Sequence, residues 1–255
     1  MADKRFEGKL AVVTGGGAGI GRAISKRLAA EGAIVAILER NLDAAKAVIE
    51  EIEAASGQAS CVEVDVSSES SVQSAFDSLD RVDVLINNAG IASVGNVEAT
   101  TGEEMDRVYN VNVKGVFHCT KAAIPKLKES GKGAILNMAS IASYLGISDR
   151  FAYSMTKGAV YAMTLSVAKD YIEYGIRCNC ICPARVHTPF IDSYLEKHYS
   201  DRKEEMFKEL ESHQPIGRMG RPEEIAGLAA FLCSEEAAFV TGSAYHIDGG
   251  VTNLR

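Results

Sequence analysis

The sequence predicts an α/β fold, in which a doubly wound parallel sheet is covered by helices on both faces. Short, continuous apolar runs alternate along the chain with helical stretches, and strands that are apolar throughout are typical of a parallel sheet buried between helices. The 23 glycines and only 5 prolines suit many tight turns between strands and helices. Because no linker or change of composition interrupts the 255 residues, we expect a single domain.

The first third of the chain contains four of the predicted strands. Residues 10–14 form a short apolar run that ends in glycines, and the helix predicted after it at 20–30 has Ile24 and Leu28 four residues apart. Residues 42–55 are rich in Ala and Glu, which favours a helix. The other predicted elements of this part are strands at 34–38, 60–66 and 82–87 and a short helix at 72–79.

The rest of the chain repeats the alternation with longer helices. A helical pattern at 105–127 is closed by Gly131 and Gly133, and a second long helix is predicted at 152–173. The remaining predicted elements are strands at 133–139, 177–182 and 244–247 and a helix at 222–234.

Residues 188–220 interrupt this alternation with a long polar stretch. It lies between the sixth strand and the helix at 222, and it contains Tyr194, Tyr199 and Phe207. A long insertion near the ends of strands is more often a lid than a disordered linker, so we expect a loop that lies over the substrate.

Charge and hydropathy exclude several classes of protein. The 34 acidic and 27 basic residues give a formal net charge of −7, which argues against a general nucleic-acid binder. Residues 1–8 are charged and lack the apolar segment of a signal peptide, and no apolar run reaches the ~18 residues that span a bilayer. We therefore expect a cytoplasmic protein that binds neither nucleic acid nor membrane.

The cysteines and histidines do not follow a metal-binding pattern. Cys178, Cys180 and Cys182 alternate along one strand and would share a face, whereas metal sites favour CxxC-type spacing. We interpret them as small buried apolar residues. Four of the five histidines are scattered along the chain: His118, His198, His213 and His246. We expect no catalytic metal.

A glycine-rich stretch, TGGGAGIG at 14–21, follows the first strand and opens the first helix. Glycines let the backbone turn sharply and approach a pyrophosphate, and a helix N-terminus offers free N–H groups and a positive dipole to phosphates. The context therefore predicts dinucleotide binding. The residues expected to contact the dinucleotide here are Gly15, Gly17, Gly19, Ile20 and Gly21.

Glu39 ends the second strand, 18 residues beyond Gly21. A carboxylate there can accept hydrogen bonds from the adenosine ribose diol and would repel a 2′-phosphate. Arg40 could instead favour that phosphate, but Ala18 supplies no second positive charge. These residues favour NAD over NADP.

The third and fourth strands also end in polar or small residues. Because carboxyl ends of parallel strands meet at one edge of the sheet, where ligands bind in such folds, we expect these residues to line the cofactor channel. They are Asp65 and Val66, with Asp65 near the adenine, and Asn88, Ala89 and Gly90.

Tyr153 and Lys157 are four residues apart on a predicted helix and therefore share a face. An ammonium beside a phenol would lower the phenol's pKa, which suits a general acid or base. Ser140, at the end of the fifth strand, could bind a carbonyl or carbinol oxygen in the same cleft, and Asn112 could hold a water behind Lys157.

These motifs occur together and in order, and the sequence resembles the short-chain dehydrogenase/reductase family from residue 8 to residue 250. The matching stretches are TGGGAGIG at 14–21, NNAG at 87–90, YSMTK at 153–157 and IDGG at 247–250. The resemblance implies a Rossmann-like fold and hydride transfer between nicotinamide C4 and a secondary alcohol carbon. The protein's own part in such a reaction is orientation and proton transfer.

The resemblance also implies individual roles. Tyr153 would donate or accept the proton, and Lys157 would lower the pKa of Tyr153 and hold the nicotinamide ribose. Ser140 would orient the substrate oxygen, and Asn112 would support a proton relay through water. Family members are commonly tetramers, so we expect a homotetramer with the helices at 105–127 and 152–173 at an interface.

One position departs from the family pattern. Members usually have Pro-Gly after the sixth strand, whereas this chain has Pro183-Ala184. If that site needs a positive φ, alanine is strained there and the loop takes a different path. Pro183, Val186 and Thr188 are carried over as cofactor contacts, with the Val186 backbone and the Thr188 hydroxyl facing the carboxamide.

Positive groups surround the predicted reacting centre. Arg150 precedes the catalytic helix, and Arg185 and His187 flank the loop over the nicotinamide, which suits a carboxylate or a hydroxyl-rich ligand. Arg150 could instead pair with Asp149 or with a neighbouring subunit. IRCNCICP at 176–183 resembles the cytosolic 3-hydroxybutyrate dehydrogenase branch, and PARVHTPF at 183–190 resembles sugar dehydrogenases of the L-fucose type.

We therefore expect NAD-dependent interconversion of a secondary alcohol and a ketone, or of a lactol and a lactone. The substrate would be a small polar molecule, such as L-fucose or a sugar or hydroxy acid. One alternative is an NADPH-dependent 3-ketoacyl carrier-protein reductase, which Lys126 and Lys128 could serve but Glu39 opposes. Another is a non-catalytic cofactor-binding protein that kept the fold.

Overall fold

Seven parallel strands form one sheet in the order β3-β2-β1-β4-β5-β6-β7 within the part of the chain that is described. The structure is a computed structural model that describes residues 4–254, apart from the side chains at positions 190, 197 and 198. The strands are β1 (Leu10–Thr14), β2 (Ile34–Glu39), β3 (Gln58–Glu63), β4 (Val84–Asn87), β5 (Ala134–Met138), β6 (Arg177–Pro183) and β7 (Ala244–Ile247).

Helices cover both faces of the sheet, so the predicted doubly wound, Rossmann-like single domain is confirmed. One face packs against α1 (Gly19–Ala30), α2 (Leu42–Ala54) and α9 (Pro222–Cys233). The other face packs against α3 (Glu69–Asp77), α5 (Gly115–Ser130) and α6 (Phe151–Tyr171). The three other helices are α4 (Gly102–Tyr109), α7 (Pro189–Tyr199) and α8 (Lys203–Ser212). The inner strands β1, β4 and β5 are covered on both faces, so their residues are mostly apolar without alternation, whereas the edge strands β3 and β7 are partly exposed.

Two predicted elements differ in detail from the structure. The helix predicted at 105–127 is α4, a π-helical turn at Asn110–Lys114 and α5, which runs on to a left-handed cap at Gly131. The third strand ends at Glu63 rather than 66, because Asp65 turns over the sheet edge and accepts hydrogen bonds from Ser67.

The insertion at 188–220 is helical rather than a polar loop. Its two helices, α7 and α8, pack on each other through a separate small core around Leu195, Leu210 and Met219. The helical periodicity is difficult to detect in the sequence because these apolar residues are few and the exposed faces are highly charged.

Membrane-spanning helices and metal-binding clusters are both absent from the part of the chain that is described. None of its helices is long and apolar enough to cross a membrane. No group of three or more His, Cys, Asp or Glu side chains among these residues converges in a way that could hold a metal ion. The side chain of His198 and the first three residues of the charged N-terminal segment lie outside the described residues.

Candidate active site

A cleft of about 870 Å³ opens at the carboxyl edge of the sheet. It lies where the strand order reverses between β1 and β4, the position at which open α/β sheets bind ligands. Most of the predicted site residues line it: Gly15, Gly19, Ile20, Glu39, Asp65, Val66, Asn88, Ala89, Gly90, Ser140, Arg150, Tyr153, Lys157, Pro183, Arg185, Val186 and Thr188. The predicted residues that do not line it are Gly17, Gly21, Asn112 and His187.

The glycine-rich loop leaves the N-terminus of α1 open toward the cleft. Gly19 begins the helix with a φ of +51°, and the preceding Ala18 offers no side chain to cap the first turn. No acidic residue lies in that turn, so its N–H groups and the positive end of the dipole are available to an anion. Gly21 serves packing instead, because a Cβ there would lie 2.1 Å from the Gly15 carbonyl oxygen.

Glu39 is held at the rim of the same loop by backbone groups. Its Oε2 accepts from the Gly17 N–H at 3.2 Å, and its Oε1 accepts from the N–H groups of Arg40 and Asn41 at 2.9 and 3.1 Å. A carboxylate offers about four acceptor sites, so capacity remains for a hydroxyl. Gly17, predicted as a direct cofactor contact, acts here by positioning Glu39.

The other residues of this end are fixed by neighbouring loops. The Asn88 side-chain amide donates to the Thr14 and Gly15 carbonyls, each at 3.0 Å, so it holds the fourth strand's end against the glycine-rich loop. A hydrogen bond from the Ser67 hydroxyl to Asp65 lowers the pKa of Asp65. Asp65 is therefore charged at neutral pH, and it faces the cleft beside Val66.

Three side chains from two elements meet at the opposite end of the cleft. Ser140 follows β5, and Tyr153 and Lys157 lie one turn apart on α6. The Tyr153 hydroxyl is hydrogen-bonded to Ser140. The Lys157 ammonium lies 5.7 Å from the centre of the Tyr153 ring and donates to the Met138 carbonyl at 2.6 Å.

The pKa of Tyr153 differs from the prediction. Its hydroxyl lies deep in the cleft, and this burial raises the pKa, although the hydrogen bond from Ser140 and the positive charge of Arg150 act in the opposite direction. Burial also lowers the pKa of Lys157 to about 8. The shift is opposite in direction to the predicted one, because desolvation outweighs the Ser140 hydrogen bond and the Arg150 charge. The Lys157 ammonium donates to the Met138 carbonyl here, and its predicted effect on Tyr153 stays a prediction.

Asn112 lies in the π-helical turn, away from the cleft surface, and is only 1% exposed. Its Oδ1 accepts from the Ile91 N–H at 2.8 Å, and its Nδ2 donates to the Ile91 carbonyl at 2.9 Å and the Thr156 hydroxyl at 3.1 Å. With both ends of the amide occupied, the side chain joins the loop after β4 to α6. Its geometry is that of a positioning residue; the predicted water relay stays a prediction.

The segment after β6 carries no backbone strain at Ala184. Among the described residues that are not glycine, a positive φ occurs only at Ser56 and Asp149, so alanine fits here and the expected strain is absent. The Gly220 N–H donates to the Arg185 carbonyl, and the His187 N–H donates to the Gly220 carbonyl, each at 2.9 Å. The N–H and carbonyl of Val186, which lies between them, therefore point away from Gly220. Thr188 packs beside Gly19.

The three predicted substrate contacts have different surroundings. Arg150 donates to the carbonyls of Ser93 and Asp149, and within the described residues no carboxylate pairs with it. Arg185 contacts Nδ1 of His213 at 2.6 Å and also lines the cleft. His187 is the exception, because its Nε2 pairs with Asp192 at 2.9 Å outside the cleft.

Sequence reasoning missed other residues of the cleft. Arg107 and Ile147 line it, and Tyr194 of α7 lies near enough to Arg150 and Arg185 for their charges to act on its phenol. Arg107 lies one helical turn before Val111, which also lines the cleft, and this spacing was the available signal. Tyr194 lies in the insertion, where the sequence shows no pattern that indicates which side chains face the cleft.

Comparisons with known proteins define the class. A family model described as "Enoyl-(Acyl carrier protein) reductase" matches residues 15–252. Dehydrogenase/reductase SDR family member 6 of Aquarana catesbeiana is 39% identical over 247 residues, covering 96% of this chain and 98% of that protein. The chain belongs to the short-chain dehydrogenase/reductase family, and the predicted resemblance is confirmed.

Two further similarities concern named activities. The 2-keto-3-deoxy-L-fuconate dehydrogenase of Xanthomonas campestris pv. campestris is 34% identical over 250 residues, covering 98% of this chain and 82% of that protein. The ligand-free aldohexose dehydrogenase of Thermoplasma acidophilum superimposes with a TM-score of 0.89 at 32% identity, covering 99% of this chain and 96% of that one. This chain is an oxidoreductase that acts on CH–OH groups with an NAD(P) cofactor.

The cleft fits such a cofactor on its own geometry. The uncapped N-terminus of α1 can hold a pyrophosphate. The Glu39 carboxylate, at the end of the neighbouring strand β2, has spare acceptor capacity for a ribose hydroxyl. Tyr153, Ser140 and Lys157 lie at the far end of the same cleft, where proton transfer to or from a substrate oxygen would occur.

Proposed function

We propose that this protein oxidises a small polar secondary alcohol with NAD, the substrate being a sugar such as L-fucose or a sugar or hydroxy acid. A lactol, which would be oxidised to a lactone, belongs to the same substrate class. The observation that carries the proposal is Arg150, whose guanidinium lines the cleft near Tyr153 without a carboxylate partner among the described residues. An arginine of this kind binds carboxylates and sugar hydroxyls.

The preference for NAD rests on Glu39. Its carboxylate is fixed by three backbone N–H groups and retains room for a ribose hydroxyl, whereas a 2′-phosphate there would meet like charge. We propose that Gly15, Gly19 and Ile20 hold the pyrophosphate, with Gly17 and Gly21 supporting the loop.

The chain's own residues would move one proton. A bound nicotinamide supplies the hydride acceptor when the alcohol is oxidised. Ser140 orients the carbinol oxygen, and Tyr153 in its phenolate form accepts the hydroxyl proton. Because burial raises the pKa of Tyr153, the phenol predominates at neutral pH, so oxidation should accelerate as the pH rises and reduction should not.

The carrier-protein reductase alternative finds little support. Lys126 and Lys128 lie in the last turns of α5, at the edge of the sheet away from the cleft, and Lys128 lies 3.8 Å from the centre of the Tyr174 ring. A basic face for a carrier protein would have to border the cleft mouth instead.

Assembly and location are further proposals. Aromatic and apolar side chains are exposed on α4, α5 and α6 at Tyr109, Phe117 and Leu165, which supports an interface between copies in a homotetramer. Light scattering should then give four chains per particle, and a monomer would contradict it. The six cysteines are free thiols in the described structure, which supports the reducing cytoplasm.

The test is a set of initial rates with NAD and NADP. The panel holds L-fucose, other aldoses, 3-hydroxybutyrate, a deoxy-keto sugar acid, cyclohexanol as an apolar alcohol, and an acetoacetyl thioester in the reductive direction. We expect turnover of a sugar or acid with NAD. Turnover of cyclohexanol alone, or of the thioester alone with NADPH, would contradict the proposal.

A further inference from the structure

Helix α5 packs behind the wall of the cleft on its adenosine side, and its residue His118, which has no role in the reaction, contacts that wall. Its first residue, Gly115, approaches Val66 so closely that a Cβ there would lie 2.8 Å from the Val66 Cγ2. One turn further on, Nδ1 of His118 lies 3.0 Å from the Val66 carbonyl oxygen. Val66 itself lines the cleft beside Asp65.

The hydrogen bond between His118 and Val66 has a defined direction. A carbonyl oxygen only accepts, so Nδ1 of His118 carries the hydrogen and donates it. His118 is 7% exposed, and a buried donor that lost this partner would be costly. The bond therefore fixes both the imidazole ring and the backbone of the loop between β3 and α3.

We propose that His118 is a positioning residue for the adenosine half of the cofactor, because it fixes the Val66 carbonyl and with it the surface that the adenine meets. The inference rests on the proposed dinucleotide function of the cleft. It adds that a side chain behind the cleft wall, on α5, sets affinity at one end of the cofactor only.

The nicotinamide end of the cofactor would lie away from His118. The nicotinamide end meets Tyr153, Lys157 and the segment after β6, none of which His118 contacts. A change at His118 should therefore weaken the binding of adenosine monophosphate and leave the binding of nicotinamide mononucleotide unchanged. General loosening of the fold would weaken both.

The experiment measures how each mononucleotide competes with NADH, followed by NADH fluorescence, in the full-length protein. His118→Leu removes the donor, and we expect the competition constant of adenosine monophosphate to rise about three- to tenfold. His118→Asn keeps an N–H donor at a similar place and should stay within about twofold of the unchanged protein. Gly115→Ala, which presses on Val66 from the same helix, should raise the same constant.

Lys121→Ala is the matched control on α5. Lys121 pairs with Glu69 at 2.8 Å on the exposed side of the helix, where an ion pair contributes little. Its mononucleotide constants should not change.

Three results would overturn the inference. They are equal weakening of both mononucleotides by His118→Leu, no weakening of adenosine monophosphate by either His118→Leu or Gly115→Ala, and His118→Asn behaving like His118→Leu. An unchanged protein that binds neither NADH nor NADPH would overturn the proposed function as well. Selective loss of adenosine monophosphate with rescue by asparagine would support the inference.

Discussion

The two ends of the cleft are built in different ways. The cofactor end consists mostly of backbone groups from one continuous loop, 14–21, with the Glu39 carboxylate beside it. The reacting end consists of side chains that β5, α6 and the segment after β6 bring together from distant parts of the sequence. A local loop specifies a ligand class shared by many proteins, whereas dispersed side chains can change without altering the fold.

The two ends also differ in charge. Among the described residues, the two carboxylates that line the cleft, Glu39 and Asp65, lie at the cofactor end beside Arg40. Lys157, Arg150 and Arg185 line the reacting end, where no carboxylate does. This separation places cations near the substrate and is the physical basis for expecting a carboxylate or a polyhydroxyl compound there.

Tyr153→Phe should produce the largest effect, confined to the reacting end. Without the hydroxyl no group transfers the proton, so kcat should fall about 10²- to 10⁴-fold in steady-state assays. Tyr161→Phe, two turns further along α6, is the matched control. If Tyr153→Phe retained full turnover, the assigned proton-transfer group would be wrong.

Arg150→Ala should come next. Loss of a charge-assisted contact should raise KM for an acidic substrate about ten- to a hundredfold. Since the Arg150 charge lowers the pKa of Tyr153, its removal should also move the pH dependence of oxidation to higher pH. If KM rises but the pH profile does not move, Arg150 contributes to substrate binding and the electrostatic effect on Tyr153 is contradicted.

Glu39→Gln should act at the cofactor end alone. Neutralising the carboxylate removes the repulsion of a 2′-phosphate, so the ratio of kcat/KM for NAD to that for NADP should fall about tenfold. Glu50→Gln on α2, an exposed acid away from the cleft, is the control. An unchanged ratio would remove Glu39 as the selector.

Lys157→Met should stabilise the folded protein, by a small amount of free energy. The pKa of Lys157 is lowered to about 8 from 10.5, so below pH 8 the folded state bears the cost of a buried ammonium. Urea denaturation at pH 7 should show a gain of about 1–3 kcal/mol together with loss of activity. The gain should shrink between pH 8 and 10.5, because there the folded lysine has lost its proton while the unfolded lysine still holds one. A loss of stability at pH 7 would contradict this account.

The fold was predictable because its signals are local and repeated. Apolar runs and helical spacing located the sheet, and TGGGAGIG located the glycine-rich loop that borders the cleft. The turn at Asp65, the helices of the insertion and the pairing of His187 with Asp192 depend on tertiary contacts that the sequence pattern does not contain. The raised pKa of Tyr153 was missed for the same reason, since spacing shows a neighbouring charge but not burial.

The most direct test of the account is a crystal structure with NADH and an acidic or sugar substrate bound. We expect the adenosine ribose hydroxyls on Glu39, the carbinol oxygen between Ser140 and Tyr153, and a carboxylate or hydroxyl group of the substrate on Arg150. A ribose away from Glu39, or a substrate that leaves Arg150 without a ligand contact, would contradict it.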